Sequence, residues 1–364
     1  MSGKTGKWLR AAGISAAVAL AAAGCSPSGG SSGGLSSLPR PGSAEKTTLN
    51  VSVVPAMDSA GFFVALDQGY FAREGLTINY TPAASSEFAV GEQVAGKQDI
   101  TGGNYVSYIQ EVAQRHQPLE VIAEASIMGP GSQMLFTPAS STIKTLAGLA
   151  GQTIAVNAPD NIDYLLDVSV LSENGINVDT DHVNFPGNPV PFPTMAQTLE
   201  SGGQFAAATM PEPFASLAEQ DFGVEPLADL NQGATSNFPI EGYVVTKAWA
   251  AKYPNTLKRF LIALEEGQVK ADTDRTIVER AFTHIKGPGG STDPAASARY
   301  GRVSPQVAAV MALNTYPVGI SKTRLQRVAN VMQQFGLLDG HFDVSAMIMP
   351  PSAFNFTPFS TPNS

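Results

Sequence analysis

The sequence predicts an α/β fold arranged in two successive blocks. Short runs rich in β-branched residues alternate with segments of helical periodicity, as in strands joined by helices. The chain holds 35 glycines and 26 prolines, and many of them lie between these segments, where turns are expected. A length of 364 residues is enough for two domains of ordinary size. We therefore expect two domains, each built from α/β layers.

The first block begins with a clear predicted strand at residues 49–54, in which β-branched and polar side chains alternate. Gly69 and Gly96 are placed to end the two helices that follow. Further strands are predicted at residues 76–80, 99–100 and 119–125, and helices at residues 62–67, 88–95 and 105–115. Because strand and helix alternate, we expect these strands to form a parallel sheet.

The second block repeats this alternation. Strands are predicted at residues 153–157, 182–185, 205–209 and 243–246, and helices at residues 162–172, 193–201 and 213–220. A helix at residues 254–269 has a clear amphipathic pattern, because Leu257, Phe260 and Leu264 recur on one face. A loop at residues 287–292 and a last helix at residues 323–335 complete the chain.

The first 24 residues have the pattern of a secretory signal peptide. Lys4, Lys7 and Arg10 precede an apolar run that is shorter than the about 20 residues needed to span a bilayer. Cys25, the only cysteine, follows small residues in an arrangement that resembles a bacterial lipobox, which implies lipid attachment at Cys25. An ordinary secretory signal is the alternative. Residues 25–47, rich in Ser, Gly and Pro, are predicted to form a flexible tether.

The charge and residue composition exclude several classes of function. The chain has 22 basic and 31 acidic residues, whereas nucleic-acid binding requires a basic surface, so we expect no nucleic-acid partner. No metal site or cofactor is predicted, because the histidines are too far apart in sequence for a ligand motif. These histidines are His116, His182, His284 and His341.

Six segments, in order, resemble one family of proteins. They are residues 69–76 (GYFAREGL), 96–100 (GKQDI), 117–122 (QPLEVI), 146–156 (LAGLAGQTIAV), 211–213 (PEP) and 243–264. Together they resemble the solute-binding proteins of ABC importers for nitrate, sulfonates, taurine and thiamine precursors. The first of these segments resembles the family's GYF-x-x-EGL signature.

The resemblance implies a type 2 periplasmic-binding-protein fold, in which two lobes are joined by a two-crossing hinge. Residues 48–137 and 241–364 would form lobe 1, and residues 138–240 would form lobe 2. The crossings are expected near residues 136–138 and 240–243. Solute would be held in the cleft between the lobes, which close around it.

Candidate ligand-binding residues are those that follow the carboxyl ends of predicted strands, where α/β folds bind ligands. They are Asp58, Ser59, Phe62, Ser85, Ser86, Asn104, Tyr105, Asn157, Asn161, Glu212 and Tyr243. Several of them are equally suited to structural roles. Ser59, Ser86 and Asn104 are residue types that commonly cap helices. The three aromatic residues are equally suited to the core. A solvent-facing position is the alternative for Glu212, but the proline on each side of it makes that alternative less favoured.

The predicted cleft is acidic, since Asp58, Asp160, Asp163 and Glu212 lie in these loops and arginine is scarce there. A buried carboxylate disfavours an anion. Our hypothesis is therefore a small organic solute with a hydrogen-bond donor or cationic group, such as an amine or a pyrimidine. Taurine, which carries both charges, stays among the candidates.

The sequence is best interpreted as an extracytoplasmic solute-binding lipoprotein, monomeric, anchored to the outer face of the bacterial cytoplasmic membrane. Its partners would be the solute and the permease and ATPase subunits of an ABC importer. A ligand-sensing or adaptor lipoprotein on the same fold is the alternative. An enzyme is less favoured, because the chain has no cysteine beyond Cys25, no G-x-S-x-G motif and no phosphate-binding loop. The cysteine-rich motif of pyrimidine-precursor enzymes is also absent.

Overall fold

The computed structural model describes residues 41–284 and 303–350. In these ranges the strands form two separate sheets, one with five members and one with four. In chain order the strands are β1 (Thr48–Val53), β2 (Thr77–Pro82), β3 (Ile100–Asn104), β4 (Leu119–Ile127), β5 (Gln133–Thr137), β6 (Ile154–Ala155), β7 (Ala207–Pro211), β8 (Glu225–Asp229) and β9 (Pro239–Thr246). The helices are α1 (Ala60–Asp67), α2 (Tyr70–Arg73), α3 (Ser86–Val94), α4 (Tyr105–Ala113), α5 (Ile162–Glu173), α6 (Phe192–Glu200), α7 (Phe214–Phe222), α8 (Lys247–Lys252), α9 (Pro254–Thr273), α10 (Arg275–His284), α11 (Pro305–Val310) and α12 (Lys322–Gln334).

The first sheet has the strand order β2-β1-β3-β9-β4. Strand β1 runs parallel to β2 and β3, whereas β9 is antiparallel to both β3 and β4. Leu49, Val51 and Val53 of β1 are fully buried, which confirms the strand predicted from the alternating pattern. The expected parallel pairing is therefore correct for three strands, and β9 makes the sheet mixed because it enters from the opposite direction.

The second sheet has the order β6-β7-β5-β8, with β6 parallel to β7 and β5 antiparallel to both of its neighbours. Strands β5 and β8 were not predicted. The strand predicted at residues 182–185 is wrong, since that segment makes only an isolated bridge between Asn184 and Thr153. A single bridge supplies too few ladder hydrogen bonds to hold an extended strand.

The two chain crossings between the sheets differ from the positions expected from the sequence. Residues 133–137 belong to β5 and pair with β7 and β8, so the first crossing lies at residues 128–132, not at 136–138. Residues 240–243 belong to β9 of the first sheet, so the return crossing lies at residues 230–238. In both cases the apolar residues expected in a connection are buried strand residues, as Phe136 and Ile240 show.

The C-terminal part of the chain packs on the first sheet. Thr315 and Ile348 form isolated bridges with β4, through Ile127 and Val121 respectively. Helix α9 crosses α1 so closely that a Cβ atom added at Gly267 would lie 2.2 Å from the carbonyl oxygen of Gly61. Helices α9 and α12 confirm the two helices predicted at residues 254–269 and 323–335.

The predicted signal peptide, Cys25, residues 25–40 of the tether and the loop at residues 287–292 lie outside the described residues. The last residues of the predicted tether are attached to α9. Backbone N–H groups of Asn255 and Thr256 donate to the Glu45 carboxylate at 3.1 and 2.9 Å, and Arg259 donates to the Gly42 carbonyl at 2.9 Å. Within the described ranges, no helix is both long enough and apolar enough to cross a bilayer.

Candidate functional site

The candidate site lies where the two sheets meet, and Asp58 is at its centre. Asp58 is in a short 3-10 helix that follows β1, and its side chain is buried. Ser126 and Asn314 donate to its Oδ1 at 3.1 and 2.7 Å, and Gln133 Nε2 donates to its Oδ2 at 3.3 Å. Burial raises the pKa of Asp58 to about 6, against the opposing effect of the hydrogen bonds from Ser126 and Asn314. Asp58, one of the predicted site residues, therefore connects three chain segments through buried hydrogen bonds.

A second buried carboxyl group, Glu241, lies close to Asp58. Ser59, which was predicted as a ligand-binding residue, donates its hydroxyl to Glu241 Oε2 at 2.9 Å. Burial raises the pKa of Glu241 well above its usual range, and the negative charges of Asp58 and Asp163 add to the effect. Glu241 was not among the predicted site residues, although an acidic residue inside the strand 239–246 is a signal that could have identified it.

Asp163 faces the same region from the second sheet's side of the molecule. It lies in the first turn of α5, whose N-cap residue Asn161 accepts hydrogen bonds from the backbone N–H groups of Asp163 and Tyr164. Asn157 Oδ1 in turn accepts a hydrogen bond from Asn161 Nδ2. Burial, together with the charges of Glu87 and Asp58, raises the pKa of Asp163 to about 8, against the opposing effect of hydrogen bonds from Asn157 and Asn161. The predicted residues Asn157 and Asn161 therefore shape the start of the helix that carries Asp163.

A hydrogen-bond network holds Glu87 at the start of α3. Ser85 caps this helix by accepting from the backbone N–H of Phe88 at 3.3 Å. Ser86 Oγ accepts from both the backbone and side-chain nitrogens of Asn104 at 2.9 Å, and the Ser107 hydroxyl donates to Glu87. Ser85, Ser86 and Asn104 thus hydrogen-bond within the protein. Of the residues considered as helix caps, Asn104 does cap α4 by accepting from the Ser107 N–H at 2.9 Å, whereas Ser86 bonds to Asn104 and is not a cap.

Glu212 connects the two sheets. It follows β7, and its Oε1 accepts from the backbone N–H of Ala312 at 3.0 Å and from the Ser216 hydroxyl at 2.8 Å. Its main-chain carbonyl accepts from the Met57 N–H at 2.7 Å, and its own N–H donates to the Ser132 carbonyl at 3.1 Å. Only 4% of Glu212 is exposed, so the solvent-facing alternative is wrong.

The predicted aromatic residues are buried. Phe62 packs against four other aromatic rings in the core of the first sheet, Tyr243 among them, with ring centroids 5.5 to 6.3 Å apart. Tyr105 covers Gly242 of β9, because a Cβ atom there would lie 2.5 Å from the Tyr105 ring. The buried Tyr105 hydroxyl has no hydrogen-bond partner among the described residues. Burial raises the pKa of both tyrosines, and the nearby charge of Glu241 adds to the effect, so both rings border the site.

The candidate site therefore combines four carboxyl groups from both sides of the molecule. We call Asp58, Glu87, Asp163 and Glu241 the acidic cluster. Asp160, also expected to contribute, is exposed. In the described part of the chain, no group of three His, Cys, Asp or Glu residues is arranged to hold a metal ion.

Comparison with known proteins identifies the family. The model of the NMT1-like family matches residues 42–281. The chain belongs to the NMT1-like family. A comparison with curated protein sequences finds no match. The family assignment and the fold together confirm the resemblance to the solute-binding proteins of nitrate and sulfonate importers.

Solved structures show the fold of this NMT1-like protein. The alkanesulfonate-binding protein SsuA from Xanthomonas axonopodis pv. citri, bound to MOPS, has a TM-score of 0.66 and 15% identity, covering 84% of this chain and 99% of its own. The ligand-binding component of an ABC-type import system from Staphylococcus aureus, with zinc bound, has a TM-score of 0.68 and 12% identity, covering 86% and 99%. The desulfurization enzyme DSZB has a TM-score of 0.59 and 16% identity, covering 85% and 98%. The NMT1-like protein thus has the two-lobed type 2 periplasmic-binding-protein fold, which binding proteins and an enzyme share.

Replacement of Glu212 by alanine should destabilise the protein. The substitution leaves the backbone N–H groups of Ala312 and Ser216 without an acceptor in a buried site, which costs about 1–3 kcal/mol of unfolding free energy. Glu219→Ala, one turn of α7 beyond Ser216 and exposed, is the matched control and should stay within about 0.5 kcal/mol of the parent. Urea denaturation measures both. Equal stability of the two variants would contradict the connecting role of Glu212.

The free energy of unfolding should decrease as pH rises from about 4 towards about 8. The folded Asp163 carboxyl holds its proton up to about pH 8, whereas an aspartate ordinarily titrates near 3.8, so the folded state binds more protons within this window. The ionisation of Asp163 alone then lowers the free energy of unfolding by up to about 1.4 kcal/mol for each pH unit. Glu87, Asp58 and Glu241 face Asp163, and Asp58 contributes in the same direction up to about pH 6.

Asp163→Asn should reduce this pH dependence, because the amide does not ionise. Denaturation series across the window for the parent and the variant give the difference in slope. Identical slopes would show that Asp163 titrates normally in the folded protein.

Proposed function

We propose that this NMT1-like protein is an extracytoplasmic solute-binding lipoprotein of an ABC import system. It binds a small organic solute between its lobes and delivers it to a membrane permease. The observation that carries this proposal is the buried polar lining where the lobes meet, in which acceptor atoms of Glu87, Gln133 and Asp163 have no partner among the described residues. Buried polar atoms in proteins are nearly always paired, so a ligand with donors is the natural complement.

The two sheets support the proposed assignment of lobes and hinge. Lobe 1 is built on the five-stranded sheet together with the C-terminal chain, and lobe 2 on the four-stranded sheet. Residues 128–132 and 230–238, the two crossings, are the proposed hinge. Contacts such as Met57 N–H to the Glu212 carbonyl and Gln133 to Asp58 span the lobes, and they would break on opening.

Binding is favoured over catalysis by the residues that the chain offers. The fold neighbour DSZB is an enzyme, but the only cysteine of this chain is Cys25, and the four histidines lie in separate segments. Ser59 and Glu241 form a hydroxyl–carboxyl pair, but no histidine in the described part of the chain hydrogen-bonds to either group, as the base of a serine triad would.

Solute binding is tested by native mass spectrometry of the purified protein, followed by chemical identification of any retained small molecule. We expect a retained or re-added solute to reduce the radius of gyration in X-ray scattering, because ligand favours the closed form. Denatured and refolded protein, free of solute, is the control. A protein that retains nothing, and whose scattering is unchanged by fractionated extract of its own host, would contradict the proposal.

Lipid anchoring depends on Cys25. In bacterial cells supplied with a labelled fatty acid, the parent protein should take up label and sediment with membranes, and Cys25→Ser should do neither. Ser26→Ala, at the adjacent position, is the matched control and should keep both properties. A parent protein that is unlabelled and released would support the ordinary secretory signal instead.

A further inference from the structure

Three buried acceptor atoms near the acidic cluster lack hydrogen-bond donors among the described residues. They are Asp163 Oδ2, Glu87 Oε2 and Gln133 Oε1. Asp163 and Gln133 are 1% and 2% exposed, so solvent cannot easily supply the missing donors. Native proteins pair nearly all such atoms, which makes three unpaired acceptors in one region a specific feature of this site. A molecule with hydrogen-bond donors satisfies all three atoms once the Asp163 carboxyl group has lost its proton.

The three atoms come from different elements, which the contact of Gln133 with Asp58 and the charges of Asp58 and Glu87 near Asp163 place in one region. Gln133, the first residue of β5, reaches Asp58 through its other amide atom at 3.3 Å. Asp163, in the first turn of α5, lies close enough to Glu87 and Asp58 for their charges to raise its pKa. Glu87 is in the first turn of α3. One lobe supplies Glu87 and the other supplies Asp163 and Gln133, so a molecule that pairs all three bridges the lobes.

The charge of this region is one-sided. The negative charges of Asp58 and Asp163 raise the pKa of Glu241, and the negative charge of Glu87 raises the pKa of Asp163. Arg324, whose charge reaches the neighbouring Tyr105, is already bound by Glu124, with Nε to Oε2 at 2.9 Å and Nη2 to Oε1 at 3.1 Å. Among the described residues, Arg324 is therefore already occupied, so the charge of the cluster is neutralised either by protons on the carboxyl groups or by a bound cation that displaces them.

We propose, on the basis of the solute-binding function above, that the solute is an organic cation with N–H groups, a primary ammonium or a guanidinium. Asp163 Oδ2, Glu87 Oε2 and Gln133 Oε1 accept its hydrogen bonds, and the acidic cluster neutralises its charge. Charge-assisted hydrogen bonds of this kind are about twice as strong as neutral ones.

The same contacts select against other solutes. A quaternary ammonium carries the charge but has no N–H group, so the three acceptors stay unpaired. A sulfonate or another anion has acceptors where donors are needed and is repelled by the carboxylates. A divalent metal ion satisfies the charge but requires oxygen ligands converging on one point at about 2.0–2.6 Å.

The test uses probes that share a butyl chain and differ in the head group. Butylammonium, butylguanidinium, butyltrimethylammonium and butanesulfonate, each at millimolar concentration, and Ca²⁺ and Zn²⁺ are added to the solute-free full chain. Thermal unfolding and titration calorimetry measure binding. We expect the two N–H cations to raise the melting temperature and the other probes to have no effect.

Two isosteric variants connect the binding to named atoms. Asp163→Asn and Glu87→Gln should each weaken binding of the N–H cations roughly 10- to 100-fold, as loss of a charged acceptor does. Asp167→Asn is the matched control on the same helix, because both oxygens of Asp167 already accept from Thr209 Oγ1, at 2.7 and 2.8 Å. The affinity of this variant for the N–H cations should differ from that of the parent by less than about threefold. Calorimetry in buffers of different ionisation enthalpy should also show proton release, since a bound cation favours the ionised form of Asp163.

The outcomes separate this inference from the function on which it rests. Binding of butanesulfonate, of the quaternary probe as tightly as the N–H cations, or of the metal ions alone would overturn the inference. So would the absence of any response to both N–H cations. In each of these cases, a solute retained in native mass spectrometry would leave the solute-binding function standing. If no solute is retained or bound at all, the function itself is wrong.

Discussion

Burying a carboxylate between two sheets is unfavourable unless donors surround it, and the arrangement of both lobes follows from how Asp58 meets that requirement. Its donors come from the end of β4, the start of β5 and the C-terminal segment at Asn314. These segments include parts of the chain that are distant in sequence, and two of them flank the first crossing between the sheets. One side chain therefore links the first crossing, the C-terminal segment and the two sheets to one another.

The polar residues around Asp58 divide into two groups. Ser85, Ser86, Asn104 and Asn161 have hydrogen bonds within the protein and orient the helices α3, α4 and α5. Glu87 and Asp163, in the first turns of α3 and α5, each have one oxygen without a hydrogen-bond partner in the part of the chain that the structure describes. Under the proposed function, these caps hold the unpaired acceptors in place before a ligand arrives, an arrangement that reduces the entropy lost on binding.

Those features of the fold that depend on local pattern could be predicted from the sequence. Strand β1 and helix α9 were predicted because alternation and helical periodicity are visible within each segment. Strands β5 and β8 were missed because their stability comes from distant partners; β8, for example, is a partly exposed edge strand containing Pro226.

In the candidate site, too, the sequence indicated single residues but not the contacts that depend on distant parts of the chain. Glu241 was missed because its partner Ser59 is 182 residues away. Asp163 was recognised as an acidic neighbour of the cleft, but which of its oxygens lacks a donor is a property of the assembled structure. The contact between the Met57 N–H and the Glu212 carbonyl involves only main-chain atoms. Any residue except proline can donate from position 57, and any residue can accept at position 212. Side chains that line the cleft can therefore be exchanged during evolution without removing this link between the lobes, which gives one scaffold the capacity to acquire new cargoes by few substitutions.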